Sequence, residues 1–190
     1  LEAAAPAEDK PQVPAGNYVL VDTDEEFQQL LKDLQNQREI CFDTETDNVR
    51  PLKAELVGIS FGYEPQKAWY VPAHGKLGLK RLLEGIRPLF ENEKIGFYGH
   101  NVKYDYHVLL NYGIKIANIC FDTILASYVL NSHQRQHNLD TLALDHFGKV
   151  KIPITDLIGK GKKEISMRDV PIEKVCEYGC EDVDYTVRLK

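Results

Sequence analysis

The 190-residue sequence predicts an α/β fold in which a mixed central sheet of about five strands is flanked by helices. Two observations predict this class. Short runs rich in β-branched and aromatic residues alternate with segments whose apolar residues recur at helical spacing. The predicted strands are concentrated early in the chain, whereas helices dominate its later part. Hydrophobic residues make up 43% and charged residues 27% of the sequence, which is ordinary for a globular domain.

The first part of the chain contains most of the predicted strands. Short apolar runs bounded by turn residues predict strands over 18–21, 39–44, 56–63 and 68–72. A helix is predicted over 24–37, because apolar residues recur there at intervals of three and four. The early chain is therefore expected to form most of the sheet.

The later part of the chain alternates between helices and short strands. The predicted elements are a helix over 79–91, a strand over 94–98, a helix over 101–112, a strand over 119–121 and helices over 122–130, 138–147 and 171–190. Gly113 and Gly148 end two of the helices, and Pro171 stands at the start of the last one. The segment 150–168 is rich in glycine and lysine and is expected to be irregular.

Composition restricts the class of protein. The 23 basic and 29 acidic residues give a net charge of −6, which argues against gripping a nucleic-acid duplex by overall positive charge. No apolar run approaches the roughly 18 residues of a membrane span, so we expect no membrane partner. Four cysteines do not suggest a disulfide framework, and a cytoplasmic location is expected. Cys176 and Cys180 are spaced to share a metal, but the favoured interpretation is small core residues on a helix.

The termini suggest a piece of a longer protein. The sequence begins at Leu1 rather than methionine, and it ends within a predicted helix. Residues 1–16, rich in alanine, proline and charged residues, are interpreted as a flexible linker or cloning remnant. Residues 17–190 are expected to form one domain.

The segment CFDTETD carries the first candidate site. Residues two apart in a strand point to the same side, so Asp43 and Glu45 share a face while Thr44 points away. Two acids on one face repel each other unless a cation lies between them. Oxygen ligands of this kind suit Mg²⁺ or Mn²⁺. The alternative is an ordinary acidic turn after a strand.

Two later segments carry further candidates on helices. In HNVKYD, Asn101 and Asp105 are four residues apart on one helix face, and in EYGCED the same spacing relates Tyr178 to Asp182. Asn101 and Asp105 have an alternative interpretation as a helix cap and a solvated acid. Tyr178 has one as a packed ring with a hydrogen-bonded hydroxyl.

Taken together and in this order, the three segments resemble the proofreading 3′-5′ exonuclease domain of bacterial DNA polymerase I. This group belongs to the four-carboxylate (DEDD) superfamily and carries a tyrosine in its last motif. The sister group has histidine five places before the last aspartate, where Glu177 stands here. The stretches LLNYGI, FDTILASYVLNS, HNLDTLA and GKGK match as well, so the resemblance runs from about residue 19 to residue 190. It implies a ribonuclease H-like fold.

The resemblance also implies a two-metal mechanism. Asp43, Glu45 and Asp182 would hold the ion that activates water, and Asp43 would bridge to a second ion held by Asp105. Tyr178 would orient the attacking water. The implied cofactors are two divalent ions, Mg²⁺ or Mn²⁺, with Zn²⁺ as an option for one site.

The implied substrate is a single-stranded or frayed DNA 3′ end, and the implied product is a nucleoside 5′-monophosphate. In the family, apolar contacts to the terminal bases come from the positions of Val49 and Ile154. The other positions implied to bind substrate are Thr44, His100, Asn101, Tyr104 and Gln136. The family often has glutamine at the position of His100, and Gln136 replaces a family arginine near the scissile phosphate.

Several alternatives stay open at this point. A related group resembling ribonuclease D trims RNA, and some polymerase relatives keep this domain as an inert structural module. The family's polymerase domain would follow residue 190, and the protein is expected to be a monomer. The run GKGKK over 159–163 is either a phosphate-tracking loop or a solvated one.

Overall fold

A mixed β-sheet forms the centre of the computed structural model, which describes residues 16–190 apart from the side chain of Lys162. The interpretation of residues 1–16 as a linker therefore falls, except for Gly16, outside the described residues. The strands are β1 (Asn17–Leu20), β2 (Glu39–Thr46), β3 (Leu56–Glu64), β4 (Lys67–Pro72), β5 (Gly96–Gly99) and β6 (Ile119–Asp122). The helices are α1 (Asp24–Gln35), α2 (Leu79–Phe90), α3 (Val102–Asn111), α4 (Thr123–Leu130), α5 (Leu139–Phe147), α6 (Ile154–Ile158) and α7 (Ile172–Leu189).

The strands of the described residues are arranged in the order β1-β4-β3-β2-β5-β6. Strand β3 is antiparallel to both of its neighbours, while β1 pairs with β4, β2 with β5 and β5 with β6 in parallel. All strands except β3 therefore run in one direction. The predicted α/β class with a mixed sheet is confirmed, with six strands rather than about five.

The two faces of the sheet are covered by different helices. Along β2, Ile40 and Phe42 join a buried cluster with apolar residues of α1, α2 and α3. Cys41 points to the opposite face, where it packs with Val175 and other residues of α7. This alternation is the period of two expected of a strand. Asp43 and Glu45 continue the row of Cys41, so the strand aims them at the face covered by α7.

Two further cysteines lie on the face of the sheet that α7 covers. Cys176 and Cys180 are buried on α7 within the same cluster as Val175 and Val183. The interpretation of these cysteines as small core residues is confirmed.

One aspartate caps the starts of both α3 and α4. Asp122 accepts hydrogen bonds from the backbone N–H of Asn101 at 3.1 Å, of Val102 at 2.9 Å and of Ile124 at 2.9 Å. Asn101 has a left-handed backbone with φ of 69° and makes no capping bond with its own side chain. The interpretation of Asn101 as a side-chain cap is therefore wrong, and α3 begins one residue later than predicted.

The segment predicted to be irregular contains a short helix. Helix α6 occupies Ile154–Ile158 between Pro153 and Gly159, and 3₁₀ turns follow it. Pro153 has a fixed φ that suits a helix entrance, and Gly159 ends the helix with φ of 80°. A helix of five residues is too short to produce a readable apolar period. No helix within residues 16–190 has the length and apolarity needed to cross a membrane.

Candidate active site

Strand β2 places two carboxylates beside small residues of its neighbour. In the register of β2 and β3, Asp43 lies opposite Ser60 and Glu45 lies opposite Gly58. Ser60 lies against Gly179 of α7, whereas the space above Gly58 is occupied by the Tyr70 side chain. Glu45 is only 5% exposed although it carries a carboxylate.

Glycines allow α7 to approach this part of the sheet closely. A Cβ on Gly179 would lie 2.6 Å from Ser60 Oγ and 3.0 Å from Glu45 Oε1, and a Cβ on Gly62 would lie 2.6 Å from Val183 Cγ1. Gly179 stands between Tyr178 and Asp182 in the helix, within the same turn. The close approach therefore carries both of these side chains to the carboxylates of β2.

Helix α3 delivers the next carboxylate from the other side of β2. Asp105 Oδ1 accepts hydrogen bonds from the Thr44 backbone N–H at 3.0 Å and from the Thr44 hydroxyl at 2.6 Å. Thr44 points away from Asp43 and Glu45, as the strand period predicts, and this direction lets it meet α3. Asp105 and Thr44 are both buried. The threonine between the two acids thus fixes the aspartate of the second motif.

These elements surround one cavity of about 210 Å³. It is lined by the five residues with implied catalytic roles and by four with implied substrate contacts: Asp43, Thr44, Glu45, His100, Asn101, Tyr104, Asp105, Tyr178 and Asp182. Their sequence positions span 140 residues, from 43 to 182. The structure therefore brings the three motifs to a single site.

Burial raises the pKa values of the carboxyl groups in the cavity, and repulsion between them raises some of these values further. Burial raises the pKa of Asp43 well above its ordinary value, and Asp105, Glu45 and Asp182 raise it further. The pKa of Glu45 is likewise raised, by burial first and by Asp182 next. Burial raises the pKa of Asp105 to about 7 despite the opposing hydrogen bonds from Thr44. A cluster of this kind needs cations to hold its charge at neutral pH.

A buried lysine lies beside the fourth carboxylate. Lys151 Nζ donates a hydrogen bond to Asp182 Oδ1 and lies 5.3 Å from the centre of the Tyr178 ring. Burial raises the pKa of Asp182 to about 6, although Lys151 opposes the rise. Within residues 16–190, no three acidic, histidine or cysteine side chains are placed to hold one metal ion. The carboxylates of Asp182 and Asp105 are instead engaged by Lys151 and Thr44.

The donor set nevertheless fits a divalent cation. Glu45 Oε1 is buried and, among the described residues, has no hydrogen-bond partner. An orphaned carboxylate oxygen costs free energy, which a bound cation would recover. The four carboxylates supply only oxygen ligands, the type preferred by Mg²⁺ and Mn²⁺. The residues are therefore suited to hold such ions.

A second groove of about 300 Å³ adjoins the cavity and shares Thr44, Glu45 and Tyr104 with it. Its apolar lining includes Val49, which is 89% exposed, and Ile154 on α6. The Tyr104 hydroxyl is fixed by a 2.5 Å hydrogen bond to the backbone oxygen of Asn48. The implied base contacts therefore lie immediately beside the carboxylates.

His100 lies at the edge of the cavity as a neutral group. Its Nδ1 is 2.8 Å from the Thr123 hydroxyl, and its Nε2 is buried without a partner in the described part of the chain. Burial lowers the pKa of His100 to about 4. The ring is thus uncharged at neutral pH and offers a hydrogen bond rather than a positive charge.

Gln136 is the one implied contact that lines neither space. Its side-chain oxygen accepts a hydrogen bond from the Thr141 hydroxyl at 3.1 Å, next to the start of α5. The geometry therefore gives no support to a role near the scissile phosphate.

Lys151 is a residue of the site that the sequence analysis missed. A lysine between Val150 and Ile152, close to Lys149 in a segment without clear periodicity, gives no indication that it is buried.

Comparison with known families decides the class of the protein. A family model described as 3′-5′ exonuclease matches residues 18–190. The chain belongs to this family. DNA polymerase I of Pseudomonas aeruginosa is 38% identical over 172 residues, covering 86% of this chain and 19% of that protein. The enzyme of Chloroflexus aurantiacus is 34% identical over 169 residues, covering 84% and 17%.

The exonuclease domain therefore spans less than a fifth of the length of these relatives. In them it is one part of a full-length DNA polymerase I. The resemblance to the exonuclease domain of that polymerase, inferred from the three motifs, is confirmed.

Solved structures with the same fold include two RNase D proteins and NrnC. A complex of Trypanosoma brucei RNase D with GMP has a TM-score of 0.71 and 17% identity, covering 90% of this chain and 56% of that one. Escherichia coli RNase D has a TM-score of 0.66 and 21% identity, with coverage of 91% and 43%. Brucella melitensis NrnC with bound Mg²⁺ has a TM-score of 0.63 and 18% identity, with coverage of 93% and 78%. These similarities confirm the ribonuclease H-like fold.

Proposed function

We propose that this exonuclease domain removes nucleotides from single-stranded or frayed DNA 3′ ends by metal-dependent hydrolysis, releasing nucleoside 5′-monophosphates. One observation carries the proposal: four carboxylates and a tyrosine from β2, α3 and α7 converge on one cavity that adjoins an apolar groove. Asp43, Glu45, Asp105 and Asp182 are the proposed metal ligands.

The proposed ligands divide between two ions, Mg²⁺ or Mn²⁺. Asp43, Glu45 and Asp182 would hold one, and Asp43 and Asp105 the other. Bound divalent ions supply an activated water and stabilise the charge of the leaving 3′-oxygen. The orphaned Glu45 Oε1 and the raised carboxyl pKa values support this assignment, because both features are relieved by added positive charge.

Tyr178 is the proposed group that orients the attacking water. Burial raises the pKa of its hydroxyl, and the neighbouring Asp182 carboxylate raises it further. The hydroxyl therefore keeps its proton throughout the physiological range and can both donate and accept a hydrogen bond. A tyrosine in this position holds a water without becoming charged.

The adjoining groove selects the form of the substrate. Val49 and Ile154 present apolar side chains beside the Tyr104 ring. Such a surface suits bases that have left the stack, because stacking and apolar contact do not depend on the base sequence. A terminal nucleotide still paired in a duplex would have to separate before it reached the carboxylates. Frayed or single-stranded ends should therefore be cleaved faster than matched duplex ends.

DNA is the favoured substrate because relatives more than 30% identical are DNA polymerase I enzymes. RNA is the second candidate, supported by the RNase D structures that share the fold at under 25% identity. A role as an inert module is less well supported, since the chain keeps all four carboxylates in one cavity. We also propose that this domain is joined to a C-terminal polymerase domain in the full-length protein, and that the protein is a monomer.

The decisive assay compares short DNA and RNA strands of the same sequence, labelled at the 5′ end, with Mg²⁺, Mn²⁺ or EDTA. We expect stepwise shortening from the 3′ end, faster on DNA, with nucleoside 5′-monophosphates as products and no reaction in EDTA. Asp43→Asn, which keeps the side-chain shape, is the inactive control. Faster shortening of RNA would favour the RNA enzyme. Equal persistence of both strands with either metal would favour an inert module.

A further inference from the structure

Lys151 is a buried lysine that belongs to none of the three motifs. It is 4% exposed, and lysine is seldom buried so completely unless it is paired. Its ammonium group donates to Asp182 Oδ1, lies 3.6 Å from Asp140 Oδ1 and is 4.0 Å from Glu181 Oε2. The lysine is thus surrounded by acids, with its hydrogen bond to a proposed metal ligand.

The neighbouring Glu181 does not depend on Lys151 for its charge balance. Glu181 Oε1 pairs with Lys149 at 2.9 Å, and its Oε2 accepts the Ile152 backbone N–H at 2.7 Å. These two contacts fasten the segment around Lys151 to α7. They leave the ammonium of Lys151 to neutralise Asp182.

Asp140 offers Lys151 a second partner nearer to solvent. The side chain of Asp140 is 68% exposed, whereas that of Asp182 is 16% exposed. A small rotation of the lysine side chain would exchange one carboxylate for the other. Lys151 therefore has a partner available if Asp182 is engaged elsewhere.

We propose that Lys151 is the internal counterion of the carboxylate cluster: it holds Asp182 in the metal-free protein and competes with the divalent ion for that carboxylate. The inference rests on the proposed function, in which Asp182 is a metal ligand. A unit positive charge in contact with a ligand repels an incoming cation and must yield part of its own interaction when the cation binds. Lys151 therefore stabilises the metal-free domain and weakens its affinity for metal.

The test compares the neutral variants Lys151→Met and Lys151→Gln with the wild type. Lys149→Met is the matched control: it removes the same charge two positions before Lys151, from a lysine paired with Glu181, which is outside the proposed ligand set. The bond from the Ile152 backbone N–H to Glu181 Oε2 remains in this variant and continues to hold the segment on α7. Isothermal titration with MnCl₂ measures affinity, and thermal unfolding in EDTA measures stability without metal. Gln keeps a donor for Asp182, so it serves as a second variant if Met prevents folding.

We expect both Lys151 variants to bind Mn²⁺ at least about tenfold more tightly and to melt at a lower temperature in EDTA. Lys149→Met should change Mn²⁺ affinity by less than about twofold, since that charge lies farther from the cluster. Unchanged or weaker binding by the Lys151 variants would overturn the inference, and binding by the wild type would then leave the proposed function standing. Absence of Mn²⁺ binding in wild type and variants alike would overturn both.

Discussion

Thr44 donates two hydrogen bonds to one oxygen of Asp105, from its backbone N–H at 3.0 Å and its hydroxyl at 2.6 Å. The pair joins residues 61 positions apart and links the first motif to the second. The threonine therefore has a positioning role that its place between two acids does not reveal.

Replacing Thr44 by valine should loosen Asp105 without changing the volume of the side chain. The hydroxyl donor is lost while the backbone donor remains, so we expect the free energy of unfolding to fall by about 1–2 kcal/mol. Cleavage should slow by about tenfold or more, because Asp105 would no longer be held in place. Thr44→Ser keeps the hydroxyl and should retain most of the rate in the nuclease assay. Equal damage by serine and valine would contradict this role.

Replacing Tyr178 by phenylalanine should separate water orientation from metal binding. Only the hydroxyl is removed, and we expect kcat to fall by about 10²-fold while the Mn²⁺ affinity measured by calorimetry stays near that of the wild type. Tyr185→Phe makes the same change farther along α7, within a separate cluster around Leu139 and Ala143, and should leave kcat unaltered. Parallel losses of rate and metal affinity in Tyr178→Phe would exclude the water-orienting role.

Adding a methyl group at Gly179 should disturb the site through the spacing between α7 and the sheet. The new Cβ would lie 2.6 Å from Ser60 Oγ and 3.0 Å from Glu45 Oε1, so at least one of these groups must move. We expect Gly179→Ala to reduce the cleavage rate by about 10²-fold, the size of effect that a 1 Å misplacement produces. Adding Ser60→Gly removes the closest contact and should restore part of the rate. An unimpaired Gly179→Ala enzyme would show that this spacing is unimportant.

The metal-free domain should lose stability as pH rises because of Asp105. Burial raises the pKa of this carboxyl to about 7, so the folded state keeps a proton that the unfolded chain releases near pH 4. The contribution of protonated Asp105 is complete below about pH 4 and disappears as pH passes through about 7.

Asp105→Asn isolates this contribution, because it lacks the proton and keeps an oxygen for Thr44. Urea unfolding in EDTA should show the wild type losing stability relative to Asp105→Asn between about pH 4 and pH 7. The slope is limited to about 1.4 kcal/mol per pH unit for one proton. A difference that stays constant or reverses across this range would contradict the assignment.

Local patterns in the sequence predict most of the fold and the membership of the site. The strand around Asp43 and the helices around Asp105 and Tyr178 each carry a readable period, and the period predicts which side chains share a face. Whether the faces of β2, α3 and α7 meet depends on contacts between distant segments, which local patterns do not show. The expectation that they meet comes from the resemblance to a known family.

The remaining features depend on tertiary packing that no local pattern encodes. Lys151 is buried because Lys149 and Ile152 are fastened to Glu181, an arrangement that forms only when α7 is in place. Helix α6 is too short to show a period. The cap of α3 comes from Asp122, 20 residues beyond Val102 in the chain, and the local sequence around Asn101 gives no indication of such a distant partner.

The proposed function depends on Asp43, Glu45, Asp105 and Asp182 binding divalent ions together. Crystals soaked in MnCl₂ with a nucleoside 5′-monophosphate, measured for anomalous scattering, test it most directly. We expect peaks between Asp43 and Asp182, at about 2.0–2.2 Å from Asp43 oxygens, that vanish in Asp43→Asn. A fully soaked crystal with no anomalous peak in this cavity, or with Mn²⁺ bound only elsewhere, would contradict it.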